Sequence, residues 1–213
     1  MEFLDKRLDE YAHLHTTNEN ELLQKVNRET HLEVMQPRML SGHLQGRFLS
    51  MISKMLRPSR ILEIGTYTGY SALCLAEGLA EKGSLLTLDV NEELKDRVES
   101  YFNESNFKDQ IELKIGNAVE IIPSLDESFD LVFIDADKEN YSQYFDLVID
   151  KVRSGGYIIA DNVLWSGKVV EEVKAKDTST KALLEYNKKI NDDPRVENIL
   201  LPIRDGLMMA RVK

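Results

Sequence analysis

The chain has 213 residues, 42% of them hydrophobic and 30% charged, with 27 Lys and Arg against 37 Asp and Glu for a net charge of −10. That length suits one domain with a sizeable core, and the acidic balance counts against broad, charge-driven nucleic-acid binding. Cys74 is the single cysteine, which excludes an intramolecular disulfide and a cysteine-built zinc site. The acidic start Met1-Glu2-Phe3-Leu4-Asp5 lacks the build of a signal peptide, and no apolar run is long enough to span a membrane. The expectation is a cytoplasmic protein.

The first forty residues read as helical. Asn18 followed by Glu21 resembles a capping box opening a helix through about Met35, and Pro37 ends that pattern. Leu40, Leu44, Phe48, Ile52 and Leu56 recur every four residues, one face of a second helix that stops before Pro58. From residue 60 short apolar runs alternate with amphipathic stretches. The runs are 61–65, 85–89, 111–115, 131–135 and 157–161, and the helix-like stretches lie near 70–82, 92–105, 117–124 and 140–153. Strands separated by helices imply right-handed crossovers and a parallel sheet covered on both faces. A helix near 178–191 follows. Two apolar runs, 196–203 and 207–212, are split by Arg204-Asp205-Gly206, a hairpin signal that predicts an antiparallel pair at the end of the sheet. The predicted fold is therefore α/β, a Rossmann-like, doubly wound, mostly parallel seven-stranded sheet with an antiparallel C-terminal hairpin. The organisation is a single domain, with N-terminal helices at 1–57 and a core at 60–213.

In an open α/β sheet ligands bind beyond the carboxyl ends of the strands. The first strand ends Glu63-Ile64-Gly65-Thr66-Tyr67-Thr68-Gly69-Tyr70-Ser71. Its glycines allow close approach of a ligand, but bulky Tyr67 departs from the GxGxxG loop that cradles a pyrophosphate. A nucleoside-like ligand fits better than a dinucleotide. Asp89 ends the second strand, where a carboxylate accepts ribose hydroxyls, and Gly116-Asn117-Ala118 ends the third, opposite an adenine edge. Singly these also read as a turn, a helix cap and a turn. The fourth strand ends Asp135-Ala136-Asp137-Lys138 and the fifth Asp161-Asn162. If those strands are neighbours, Asp135, Asp161 and Asn162 form an all-oxygen set suited to a hard cation such as Mg²⁺ rather than Zn²⁺; otherwise they are solvated turn residues. His13, His15, His31 and His43 show no metal or triad partners, and Ser41, Ser71 and Ser166 lie outside any nucleophile elbow.

The segments Glu63–Ser71, Phe133–Lys138 and Asp161-Asn162-Val163-Leu164-Trp165 together resemble the metal-dependent S-adenosylmethionine O-methyltransferases of the caffeoyl-CoA and catechol type, in particular their bacterial members. The resemblance runs from about Met39 through Gly206. It implies that Gly65, Tyr67 and Ser71 line the methionine end of the donor, supported by Glu63. Asp89 would hold the ribose, Asn117 and Ala118 would face the adenine, and Met39 and Ser41 would close the pocket. Asp135 would be shared between the donor site and the metal, with Asp161 and Asn162 as further metal ligands. Lys138 would be the catalytic base or charge stabiliser, and Trp165 would flank the acceptor. The implied cofactors are S-adenosylmethionine and a divalent cation, Mg²⁺ first, with Ca²⁺ or Mn²⁺ as substitutes. The implied reaction is methylation of a catechol-like or caffeoyl-type hydroxyl by a homodimer. The alternatives are methylation of a hydroxylated wobble uridine of tRNA, with Lys168, Lys174 and Lys176 as a docking patch, and a nucleoside-binding module without catalysis. No carboxylate matches the extra substrate-facing glutamate of the animal catechol enzymes; Ile199, Leu200 and Leu201 stand there.

Overall fold

A computed structural model describes residues 5–213. Its seven strands form one mixed sheet in the order β3-β2-β1-β4-β5-β7-β6: β1 is Arg60–Ile64, β2 Ser84–Asp89, β3 Ile111–Ile115, β4 Phe129–Ile134, β5 Val152–Asp161, β6 Val196–Leu201 and β7 Leu207–Val212. The helices are α1 (Lys6–Leu14), α2 (Glu21–Glu33), α3 (Gly42–Leu56), α4 (Tyr70–Ala76), α5 (Lys95–Glu104), α6 (Ala118–Ile121), α7 (Tyr141–Val148) and α8 (Thr178–Asp192). Among the described residues no helix is long and apolar enough to cross a membrane. The chain divides into two compact units, one within residues 5–117 and one spanning 118–213.

In the first unit β1 and β2 pair in parallel, as do β2 and β3. Ile61, Leu62, Ile64, Leu85, Leu86 and Leu88 are buried, as continuous apolar runs covered on both faces must be. β3 alternates between buried and exposed side chains, the pattern of an edge strand with one wet face. The N-terminal helices belong to this unit. The α2 cap is Asn20, whose side chain accepts from the Leu23 amide at 2.9 Å, so the capping residue stands two positions later than the Asn18 expected. Two asparagines precede the helix, and Asn20, immediately before Glu21, is the one whose side chain reaches the amide of the third helical residue. Helix α3 starts at Gly42 rather than Leu40, because a single 3₁₀ turn from Pro37 to Met39 intervenes. It is tied to α4 by Arg47, which pairs with Glu77 at 2.8 Å, while Ser50 and Lys54 donate to the same carboxylate. Helix α4 ends at Ala76, earlier than the stretch to 82 that its composition predicts.

In the second unit β4 and β5 are parallel, while β5–β7 and β7–β6 are antiparallel. Phe129, Phe133, Phe145, Ile158, Ile159, Leu183, Tyr186 and Ile190 fill its core. The terminal pair is antiparallel as expected, but its connection is longer than a two-residue Asp-Gly turn. Leu201 pairs with Leu207, so Pro202–Gly206 forms a five-residue loop, with Arg204 and Gly206 at positive φ.

Candidate functional site

One carboxylate organises the loop after β1, where several residues read as donor-binding lie. Asp89, at the end of β2, accepts through Oδ2 from the backbone amides of Thr66 at 2.9 Å and Tyr67 at 2.7 Å. Its Oδ1 accepts from the Asn91 amide at 2.8 Å. The alternative role as a cap for the segment at 92 is taken instead by Asn91, whose side chain accepts from the Glu93 amide. Asp89 therefore folds the loop after β1 onto the end of β2. A carboxylate has about four acceptor positions, so three amides leave it able to accept from a ligand hydroxyl. Gly65 adopts φ 102 and Tyr67 φ 50, a left-handed value that is costly for an aromatic residue and is held by those two bonds.

Beneath this loop Glu63 is fully buried. Thr87 Oγ1 donates to its Oε2 at 2.5 Å, and since that hydroxyl has one proton, Thr66 Oγ1 must be the donor in the 2.5 Å contact between the two threonines. Glu63 thus acts on the loop through a chain of hydroxyls. Tyr67 reaches away from it: its hydroxyl donates to the carbonyls of Met35 at 3.1 Å and Gln36 at 3.3 Å, tying the segment after α2 to the β1 loop. Thr30 Oγ1 adds a buried bond to Thr68 Oγ1 at 3.1 Å. Ser41 and Ser71 are buried, whereas Met39 is 54% exposed and Asn117 is exposed. Ala118 is buried as the first residue of α6.

The cation-binding candidates come together by register. Ile134 pairs with Ala160, so Asp135 and Asp161 step off adjacent strands at the same level. Asp161 is 1% exposed, and its Oδ1 accepts from the Asn162 amide at 2.7 Å. Asn162 adopts φ 59, a conformation asparagine tolerates better than most residues. Lys138, itself buried, donates from Nζ to Asp135 Oδ1 at 3.1 Å, to Asn162 Oδ1 at 2.9 Å and to the Tyr141 hydroxyl at 2.6 Å. A positive group thus sits on two of the three expected ligand residues. Two carboxylates and an amide oxygen, with no His or Cys, suit a hard divalent cation. Among the described residues no group of three or more His, Cys, Asp or Glu is placed to hold a metal, since this set depends on an amide for its third member.

Trp165 lies on a loop at positive φ through Trp165, Ser166 and Gly167. Three such residues in succession require support from outside the loop. The β6–β7 connection supplies it: the Leu164 amide donates to the Asp205 carbonyl at 2.8 Å, the Val163 amide to the Gly206 carbonyl at 3.1 Å, and the Ser166 amide to the Asp205 carboxylate. Burial raises the Asp205 pKa above the ordinary value, opposed by that amide bond. Gly206 adopts φ +89, and a Cβ there would lie 2.4 Å from Leu164 Cγ. Around the indole stand Lys138 Nζ at 5.9 Å and Lys168 Nζ at 5.6 Å from the ring centre. Lys168 is also 3.7 Å from Asp177, so the lysine group at 168–176 is in part internally neutralised.

Two functional candidates went unread in the sequence. In the sequence Asp205 reads only as part of a hairpin signal, and Tyr141 only as a residue of the helix-like stretch near 140–153. The spacing of Tyr141 three residues after Lys138, one helical turn, was the available signal.

A family model described as O-methyltransferase matches residues 13–213. Caffeoyl-CoA O-methyltransferase 1 of Eucalyptus globulus is 36% identical over 177 residues, 78% of this chain and 72% of that one. The crystal structure of the O-methyltransferase from Bacillus cereus in complex with SAH superposes with a TM-score of 0.89 at 30% identity, covering 97% of both chains. SAH-bound PaMTH1, a methyltransferase of Podospora anserina, gives a TM-score of 0.89 at 27% identity, covering 98% of this chain and 94% of that one. With its strand order, its shaped β1 loop and these matches, the chain belongs to the S-adenosylmethionine-dependent O-methyltransferase family of the caffeoyl-CoA type.

Proposed function

We propose that the protein transfers the methyl group of S-adenosylmethionine to a hydroxyl of a catechol-like or caffeoyl-type small molecule, with a divalent cation, Mg²⁺ first, held by Asp135, Asp161 and Asn162. The observation that carries this reading is the seat of the Lys138 ammonium: it bonds to Asp135 and Asn162 oxygens beside buried Asp161, an arrangement built to surround positive charge. When bound, the cation supplies Lewis-acid stabilisation of the acceptor oxygen, which a phenol-type hydroxyl needs at neutral pH. Ca²⁺ and Mn²⁺ satisfy the same oxygen donors.

The chain's own residues do the rest. Asp89 accepts from the ribose of the donor while keeping the β1 loop folded. Glu63 acts on that loop through Thr87 and Thr66, and Gly65, Tyr67, Ser71, Met39, Ser41, Asn117 and Ala118 complete the donor's surroundings, with Asp135 shared. In its neutral amine form, after its ammonium has released one proton to solvent, Lys138 takes the acceptor's proton at Nζ, and general-base assistance of this kind contributes roughly 10²–10⁴-fold. Trp165 offers its ring to the aromatic acceptor. Positioning donor and acceptor for in-line transfer supplies much of the remaining rate. The reading includes a cytoplasmic homodimer, supported by apolar side chains left exposed on and beside α2 and α3: Leu32, Met35, Met51 and Met55.

The test is a substrate panel with labelled donor: a catechol, a caffeoyl ester and undermodified tRNA, each with Mg²⁺ and with EDTA. Methylation of the small phenols, abolished by EDTA and restored by Mg²⁺, is expected. Full turnover by metal-free enzyme, or methylation of the tRNA alone, would overturn the proposal.

A further inference from the structure

Tyr141 is the first residue of α7 and has no exposed surface, yet its hydroxyl sits at the centre of the polar cluster. An ammonium has three protons, and those of Lys138 go to Asp135 Oδ1, Asn162 Oδ1 and the Tyr141 hydroxyl. The phenol has one proton of its own, which it donates to the Asp161 carbonyl at 2.9 Å, with the Ile134 carbonyl at 3.4 Å. The hydroxyl thus accepts from Lys138 and donates to the Asp161 carbonyl. The Tyr186 ring, also fully buried, meets the Tyr141 ring edge-on at 5.4 Å and 81°, which fixes the direction of the phenol.

Two of the three acceptors of Lys138 belong to residues assigned above to the cation. With a cation held on those oxygens the ammonium would lose both, and the Tyr141 hydroxyl is the acceptor that would remain to it. We propose that Tyr141 is the positioning residue for Lys138: its hydroxyl carries the amine while Asp135 and Asn162 hold the cation, so that Nζ neither drifts nor competes for the ligand oxygens. The inference rests on the reading of Lys138 as the base.

The test is a double-mutant cycle of wild type, Tyr141→Phe, Lys138→Met and the double variant, with two readouts: steady-state kinetics on a catechol at saturating donor, and Mn²⁺ affinity by calorimetry without donor or acceptor. In the wild-type background Tyr141→Phe removes one hydrogen bond to a charged group and lowers kcat roughly tenfold. The acceptor KM stays within a factor of about two, because the lost interaction does not bind substrate. Mn²⁺ binding weakens several-fold, as the released ammonium falls back on Asp135 and Asn162. In the Lys138→Met background Tyr141→Phe changes neither kcat nor Mn²⁺ affinity, because the group it positions is gone. Equal losses in both backgrounds would place the role of the hydroxyl at the Asp161 carbonyl and overturn the proposal. Wild-type kcat in Tyr141→Phe with a crippled Lys138→Met overturns the positioning role alone, whereas wild-type kcat in Lys138→Met defeats the base assignment and the positioning with it. Thermal melts accompany each variant. If Tyr141→Phe loses its transition, the cycle is read with Tyr141→His, whose ring nitrogen keeps an acceptor for Nζ; it must then lose less kcat than Lys138→Met, and an equal loss overturns the proposal.

Discussion

Replacing Asp89 tests whether one carboxylate both shapes the donor loop and binds the donor. Its oxygens accept from three backbone amides, those of Thr66, Tyr67 and Asn91, at 2.7–2.9 Å. The acceptor capacity left over is what a ribose hydroxyl would use, and one hydrogen bond to a charged group contributes about 1.5–3 kcal/mol. At 1.4 kcal/mol per decade, loss of that bond alone weakens donor binding about 10- to 150-fold. Asp89→Ala also strands the amides of Thr66 and Tyr67, so its penalty lies at the upper end and its melting temperature falls. Asp89→Asn separates the two roles. Its amide oxygen can still accept from Thr66 and Tyr67, leaving an NH₂ toward Asn91, while the charge that favours the ribose is lost. Calorimetric titration with S-adenosylhomocysteine reads the affinity, and a thermal melt reads the loop. The expectation is a donor affinity about tenfold weaker for Asp89→Asn, with a melt between wild type and Asp89→Ala because the NH₂ cannot accept from the Asn91 amide, and a larger loss on both readouts for Asp89→Ala. An unchanged dissociation constant in Asp89→Ala would refute the ribose assignment, whatever its melt.

Three further outcomes are expected. Lys138→Ala keeps affinity for S-adenosylhomocysteine but loses roughly 10²–10⁴-fold in kcat, with partial recovery at high pH where hydroxide replaces the missing base; rapid-quench assays across pH check this. Burial pushes the Glu77 pKa up, but bonds from Arg47, Lys54 and Ser50 outweigh it and hold the group at about 2, so the folded state gains stability above the unfolded value of 4.5 and loses it as pH falls toward 2. Discounted for the exposed end of Lys54, the contribution is about 2 kcal/mol, and chemical denaturation should show Glu77→Gln less stable than wild type at pH 7 with the difference shrinking below pH 4. Gly206→Ala forces a Cβ to 2.4 Å from Leu164 Cγ at φ +89, so a thermal melt should show a loss of about 2 kcal/mol or more, together with a raised acceptor KM from the displaced Trp165 loop.

The strands were legible because their residues carry the signal themselves. A run such as Leu131-Val132-Phe133-Ile134 can be satisfied only inside a sheet covered on both faces. The candidate residues were legible at strand ends for a related reason: Asp89, Asp135 and Asp161 are charged residues closing apolar runs, and in an open α/β sheet ligands bind beyond such ends. What remained hidden was contact between residues far apart in sequence. No local pattern distinguishes Asn18 from Asn20 as a cap, and none indicates that Asp205, 39 positions after Ser166, takes up its amide. Tyr141 was hidden by the rule that places aromatic side chains in cores: its ring obeys the rule, and only its oxygen departs from it.

Helix α8 supplies the last step. Its sequence reads as an ordinary amphipathic cover, yet its residues touch the segments that carry Lys138 and the proposed cation ligands. Thr178 Oγ1 donates to Glu139, next to Lys138. Tyr186 backs Tyr141. Asn187 Nδ2 donates to the Val163 carbonyl at 2.9 Å, one residue after Asn162. Asp135 and Lys138 stand on the loop after β4 and Asn162 on the loop after β5, and both loops are braced by the same helix. A site assembled from loops holds its geometry only where such an element packs behind it. Substitution of the α8 side chains that bond these loops, Thr178 and Asn187, is then expected to lower kcat more than the melting temperature, because the loops they release carry the proposed ligands and Lys138 while Leu183, Tyr186 and Ile190 keep the core packed.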